Sequence, residues 1–145
     1  MEDNKSKQGN EPVGKKIGLP LIIWGIINIG VGIFFLLDIN DILKGILLQA
    51  LFWGAIDGLI GLGAYFGKKK DPLEKILKVL KVNSVLDVGY MVIGIVLILI
   101  SPILDLPVGD ITQDYVIGSG IGVIIQGAFL LIADVHHVVM INKMI

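Results

Sequence analysis

Residues 15–70 read KKIGLPLIIWGIINIGVGIFFLLDINDILKGILLQALFWGAIDGLIGLGAYFGKKK. Two apolar runs, each long enough to cross a bilayer as a helix of about 20 residues, are parted by the acidic turn Asp38-Ile39-Asn40-Asp41. Lysines bound both far ends, at Lys15/Lys16 and at Lys68–Lys70. So short a connection allows only a hairpin, which puts the two lysine clusters on one side. The remainder of the chain repeats this arrangement. A third apolar run follows Lys75, Lys78 and Lys81 and stops at Ser101-Pro102; an acidic connection through Asp105, Asp110 and Asp114 leads to a fourth run that ends near Lys143. Every lysine except Lys44 lies beside the same end of the spans, and lysine bias near span ends sets orientation toward the cytoplasm. The pattern predicts an all-α, single-domain, antiparallel four-helix transmembrane bundle with both termini in the cytoplasm, a multi-pass protein of the cell membrane.

The expected spans are 17–37, 42–67, 82–100 and 115–141, within a membrane domain over 17–145. Residues 1–16 are polar, mixed in charge and expected to form a disordered cytoplasmic tail. The first apolar run is too long for a signal-peptide core and ends without an A-x-A-like cleavage site, so it is expected to be retained. Between spans two and three, Asp71-Pro72-Leu73-Glu74 has the order of a helix start, with an aspartate cap, proline at the first position and glutamate at the third. Leu73, Ile76, Leu77 and Leu80 then share one face against Lys75, Lys78 and Lys81. Residues 72–81 are therefore expected as an amphipathic turn in the headgroup layer, running on into span three.

Composition narrows the function. With 145 residues, 54% of them hydrophobic, and a mean hydropathy of +0.85, the chain has more apolar surface than a water-soluble core of this size would hide. The formal net charge of −1 conceals the sorting of charge by side. There is no cysteine, which removes disulfides and thiolate metal sites. Arginine is absent too, leaving lysine point charges in place of the planar forks suited to phosphate and nucleic-acid recognition. Nucleic acid is excluded as a partner. No serine–histidine–acid trio, Gly-rich phosphate loop or nucleotide motif is visible, so no cofactor is expected and a non-enzymatic role is the better reading. The lysines at 68, 69, 70, 75, 78 and 81 are candidates to bind anionic lipid, although fixing topology is their simpler use. Asp105, Asp110 and Asp114 fit no calcium-loop spacing and read as a solvated acidic connector.

Polar residues inside the spans carry what functional signal there is. At 100° per residue, Asn83, Asp87, Tyr90, Gly94 and Ser101 share a narrow stripe of span three, and Gly54, Asp57, Gly58 and Gly61 share one of span two. An aspartate at the centre of a span costs about 2.5 to 3.5 kcal/mol to insert, so Asp57, Asp87 and Asp134 must face protein or a wet cavity. Counting from the lysine boundaries puts Asn28, Asp57 and Gln126 centrally, with Asn83, Asp87, Asp134 and His137 nearer the cytoplasm. The expectation is a polar column of these seven residues. As bare structure it would glue helices together. As function it would carry protons or cations, with Asp57 and Asp87 exchanging them and histidine as a relay, in a small transporter or permeation unit. The alternative is a non-catalytic scaffold or accessory subunit whose column holds its own helices or those of a membrane partner. A third reading takes Asp134-x-x-His137 as half of a helical metal site, with Asp57 and Asp87 adding carboxylates, but the pattern has one histidine motif where such sites have two. His136 points elsewhere on the helical wheel. Trp24 and Trp53 lie away from the span ends and are expected to pack inside the bundle. Glycine pairs at 54/58, 63/67 and 118/122 match the small-xxx-small spacing of helix interfaces, within this chain or between copies in a homo-oligomer.

A weak internal echo runs through the first two spans: Trp24-Gly25-x-x-Asn28-x-x-x-Gly32 returns as Trp53-Gly54-x-x-Asp57-x-x-x-Gly61. Together with Asn83-x-x-x-Asp87-x-x-Tyr90-x-x-x-Gly94 and Gly120-x-Gly122-x-x-x-Gln126-Gly127-x-Phe129-Leu130-x-x-x-Asp134, followed by a histidine, these motifs resemble a family of small four-helix prokaryotic membrane proteins classed as a domain of unknown function. The resemblance implies a four-helix bundle and assigns no activity.

Overall fold

The computed structural model describes residues 11–67, 71–104 and 111–145. Four long helices account for nearly all of them: α1 Glu11–Gly32, continued by a 3-10 turn Ile33–Leu36; α2 Asp41–Phe66; α3 Leu73–Ile100; and α4 Gln113–Asn142. All four are long and apolar enough to cross a membrane, over Val13–Leu36, Asp41–Phe66, Leu73–Ile100 and Gln113–Asn142. The all-α expectation and the helix number hold. Lys68, Lys69 and Lys70, residues 1–10 of the expected tail, and Asp105 and Asp110 lie outside the described residues.

One boundary differs from expectation. Helix α1 begins at Glu11, so residues 11–16 are its opening turns instead of tail. Residues 73–81 are the first turns of a continuous α3, in keeping with a turn that runs on into the third span, and their apolar face packs within the bundle. Leu80 is buried with Val13 and Ile141, and Leu73, Ile76, Leu77 and Ile17 pack around them. One aliphatic cluster thus joins the start of α1, the start of α3 and the end of α4. Burial of that face accounts for the early start of α1, because the first turn of α1 and the amphipathic turn of α3 complete each other's packing.

The helix starts follow local chemistry. Asn40 caps α2, its side chain accepting from the Leu43 N–H at 2.9 Å. Thr112 caps α4 by accepting from the Tyr115 N–H at 3.2 Å, and its hydroxyl donates to Asp41 Oδ2 at 2.7 Å. The starts of α2 and α4 are therefore tied together. Helix α3 starts after Pro72, with Asp71 bridged by Lys75 Nζ at 2.8 Å, and ends at Ser101, whose hydroxyl donates to the Ile98 carbonyl at 2.8 Å.

Glycine sets how the helices pack. Close backbone contact joins α1 to α2, α3 to α4, and α2 to α4; α2 and α3 have little. A β-carbon on Gly54 would stand 2.8 Å from Asn28 Cβ and 2.9 Å from the Ile29 nitrogen, and one on Gly94 would stand 2.6 Å from the Gly120 carbonyl oxygen. Gly118 is pressed in the same way against Ile42 of α2. Of the glycine pairs, 54/58 serves α1–α2 and 118/122 serves α2–α4, whereas Gly63 faces open space. Burial is inverted relative to a water-soluble domain. Asn28, Asp57, Asp87, Ser101, Gln126, Asp134 and His137 are buried, while leucine, isoleucine, valine and phenylalanine dominate the exposed face of every helix.

Candidate functional site

Glycine contacts bring three helices close at the level of Asp57, and the space they leave is filled by a polar chain. The Trp24 indole N–H of α1 donates to Gln126 Oε1 of α4 at 3.0 Å. The amide nitrogen of Gln126 donates in turn to Asp57 of α2. Trp24 is held in place by stacking on Phe129, with ring centroids 3.9 Å apart and planes 9° from parallel. Both tryptophans pack inside the bundle, since Trp53 meets Tyr90 edge-on across α2 and α3 at 5.2 Å. The sequence reading had Asp57 and Gln126 together but missed Trp24 as the donor that completes the chain. The signal was available in the Trp-Gly echo, which places an indole one turn before the polar residue of each repeat.

Beside this chain lies a cavity of about 210 Å³ between α2, α3 and α4, with Leu21 of α1 at its edge. Asp57, Asn83, Asp87 and Asp134 supply its polar wall, Trp53 and Tyr90 its aromatic wall, and Leu21, Ile56, Ile60, Leu86 and Leu130 the remainder. Asp87 is only 3% exposed, and its Oδ2 is buried without a hydrogen-bond partner. No lysine lines the cavity. Its rim, where α2 and α3 stand apart, carries Ile60, Asn83 and Leu86, all exposed. Asn83 is thus a rim residue within reach of Asp134, not a buried member of a column.

Counting from the lysine boundaries separates Asp57 from Asp87, whereas the packing of α4 relates them directly. Gly127 packs on the Asp87 backbone, where a β-carbon would lie 2.9 Å from the Asp87 carbonyl oxygen, while its neighbour Gln126 bonds Asp57. Asp57 and Asp87 consequently stand at nearly one level. The first turns of α3 lie within the bundle, so Lys81 does not mark the edge of the packed region.

Asn28 and His137 do not join the carboxylates. The Asn28 amide donates to the Trp24 carbonyl of its own helix at 2.9 Å, and the side chain packs on Gly54. His137 Nε2 lies 3.1 Å from the Lys16 carbonyl oxygen. Pro20, four residues after Lys16, has no N–H to offer that carbonyl, so the imidazole supplies the donor that proline removes from α1. A carbonyl only accepts, which fixes the hydrogen on Nε2 and leaves Nδ1, buried and without a partner, on the other side of the ring. His136 is exposed. Among the described residues, no three His, Cys, Asp or Glu side chains form a cluster able to hold a metal ion. Of the lysines weighed as lipid contacts, Lys75 pairs with Asp71, while Lys78 and Lys81 border a shallow groove with Glu74 and Leu77.

Comparison with curated proteins and with solved structures gives no match. A family model, however, matches residues 20–135, a stretch that runs from Pro20 through the cavity residues to Val135, just short of His137. The chain belongs to that family, DUF6992, a family of unknown function.

Proposed function

We propose that this chain is a multi-pass protein of the cell membrane, an antiparallel four-helix bundle with both termini in the cytoplasm, that binds and passes protons or cations at the Asp57/Asp87/Asp134 cavity. The inverted burial supports the membrane reading: an exterior of exposed aliphatic side chains suits acyl chains and would be unstable in water. Contact order supports the topology, since Gly14, Gly18, Gly25 and Gly32 meet Ala64, Gly61, Gly54 and Leu51 in turn. Lysine placement supports the orientation. Asp87 carries the functional reading. A buried carboxyl oxygen with no protein donor, in a cavity shared with two more aspartates and no fixed cation, needs an exchangeable proton or cation as its partner.

The scaffold reading rests on a different observation, the Trp24–Gln126–Asp57 chain, which satisfies Asp57 within the protein and ties three helices. Reconstitution separates the two. Wild-type protein in liposomes loaded with a pH-sensitive dye is expected to dissipate an imposed pH gradient, and the Asp57→Asn/Asp87→Asn double variant, folded by circular dichroism, is expected to lose this flux. Undiminished flux in the double variant removes the transport reading. Absence of flux in the wild type, with a membrane partner co-purifying, establishes the scaffold.

A further inference from the structure

The cavity is chemically two-faced. One wall holds three carboxyl groups and the Asn83 amide; the other is aromatic and aliphatic, with Trp53 and Tyr90 at its centre. A bare metal ion is poorly matched to it, because hard cations want about six to eight oxygen ligands and the three aspartates are not gathered as a metal cluster. A proton alone leaves the apolar wall and the volume unused. A cavity of about 150 Å³ is enough to hold benzene, and this one measures about 210 Å³. An ion with a positive head and a compact apolar body satisfies both walls, its charge beside the carboxyl groups of Asp57, Asp87 and Asp134, of which Asp87 has an unpartnered oxygen, and its body against Trp53 and Tyr90. The opening is equally specific. It lies at the one seam between sequential helices that lacks close backbone packing, and its rim residues Ile60 and Leu86 are 56% and 51% exposed on the bundle's outer surface.

We infer that the cavity binds a small hydrophobic ammonium ion that enters laterally from the bilayer between α2 and α3. The inference rests on the reading of the aspartate cavity as a working site and names its substrate class. One proton leaves for each ammonium ion bound, which conserves the charge of the cavity and couples the two flows.

Benzyltrimethylammonium, a fixed cation of suitable size, is the probe. Calorimetry of the full chain in nanodiscs is expected to show one site, with binding weakened as pH falls and with proton release that scales with buffer ionisation enthalpy. The neutral isostere neopentylbenzene is expected not to displace it. Asp87→Asn is expected to bind about thirtyfold more weakly, the loss that follows removal of one partner of a buried charge pair. Leu86→Trp, at an exposed rim position that folding does not require, is expected to slow association while leaving thermal stability unchanged; this arm decides the matter even where Asp87→Asn fails to fold. Equal affinity in Asp87→Asn, displacement by the neutral isostere, or an unchanged association rate in Leu86→Trp overturns the inference. If the wild type does not bind the probe but retains aspartate-dependent proton flux, the ammonium site is wrong and the proton path stands. If both are missing, both readings fall together.

Discussion

Removing the His137 imidazole is expected to cost stability only while Pro20 is present. The Lys16 carbonyl has lost its helical donor to Pro20, and His137 Nε2 at 3.1 Å is its replacement. In His137→Leu the side-chain volume is largely kept but the Lys16 carbonyl, part of a part-buried contact, is left without a donor. That omission costs about 1 to 3 kcal/mol in water-soluble proteins, whereas polar contacts between membrane helices average about 0.6 and reach about 1.7 kcal/mol in double-mutant cycles. Under the membrane reading the second scale applies, which sets the expected loss at about 1 kcal/mol. Pro20→Ala restores an N–H within reach of the same carbonyl and removes the ring clash, so by itself it is expected to be neutral or stabilising. In that background His137→Leu is expected to cost little, giving a coupling of about 1 kcal/mol between residues on different helices. His137→Gln, which keeps an N–H donor, is expected to retain part of the stability. Reversible unfolding of the four proteins of the cycle in mixed micelles, titrated with dodecyl sulfate and followed by circular dichroism, measures this directly. Costs that simply add, to within about 0.5 kcal/mol, would refute the assignment of His137 as the proline's substitute donor.

Other expectations follow from the same contacts. Gly54→Ala is expected to destabilise the bundle by about 1 to 3 kcal/mol, as overpacking does, because its new carbon would meet the backbone of α1. Gly63→Ala, which meets nothing within 4 Å, is expected to be tolerated, and the same unfolding titration compares them. Trp24→Phe keeps the stack on Phe129 but removes the N–H to Gln126; a loss of about 0.6 kcal/mol is expected, and no loss at all would show that the polar chain does not tie α1 to α4. Under the transport reading Trp24→Phe is expected to leave proton flux in place while Asp87→Asn abolishes it, a contrast that liposome measurements on the two purified variants check.

The cavity residues were partly legible before any coordinates. Asp57, Asp87 and Asp134 stand out in sequence because carboxyls are costly at membrane depth, and helical periodicity assigns them to inward faces without knowledge of the neighbours. Asn83 shared the Asp87 stripe, yet it ended at an exposed rim, since periodicity gives direction from a helix axis and not the presence of a helix on that side. His137 shared a face with Asp134 and was grouped with it. A proline on a distant helix determined its partner instead, and nothing in local spacing links residues 121 positions apart.

Helix number, apolar character, the acid-and-lysine punctuation and the presence of carboxyls inside the apolar runs were determined by sequence alone, because each depends on run length, residue type or the 3.6-residue repeat. The tertiary structure decided which helices approach, that Trp24 and Gln126 complete the partner set of Asp57, and that Asp87 is left with an unpartnered oxygen beside an opening between α2 and α3. These depend on the heights at which separate helices meet, and those heights come from glycine-to-backbone contacts summed over the whole bundle rather than from any one stretch of chain.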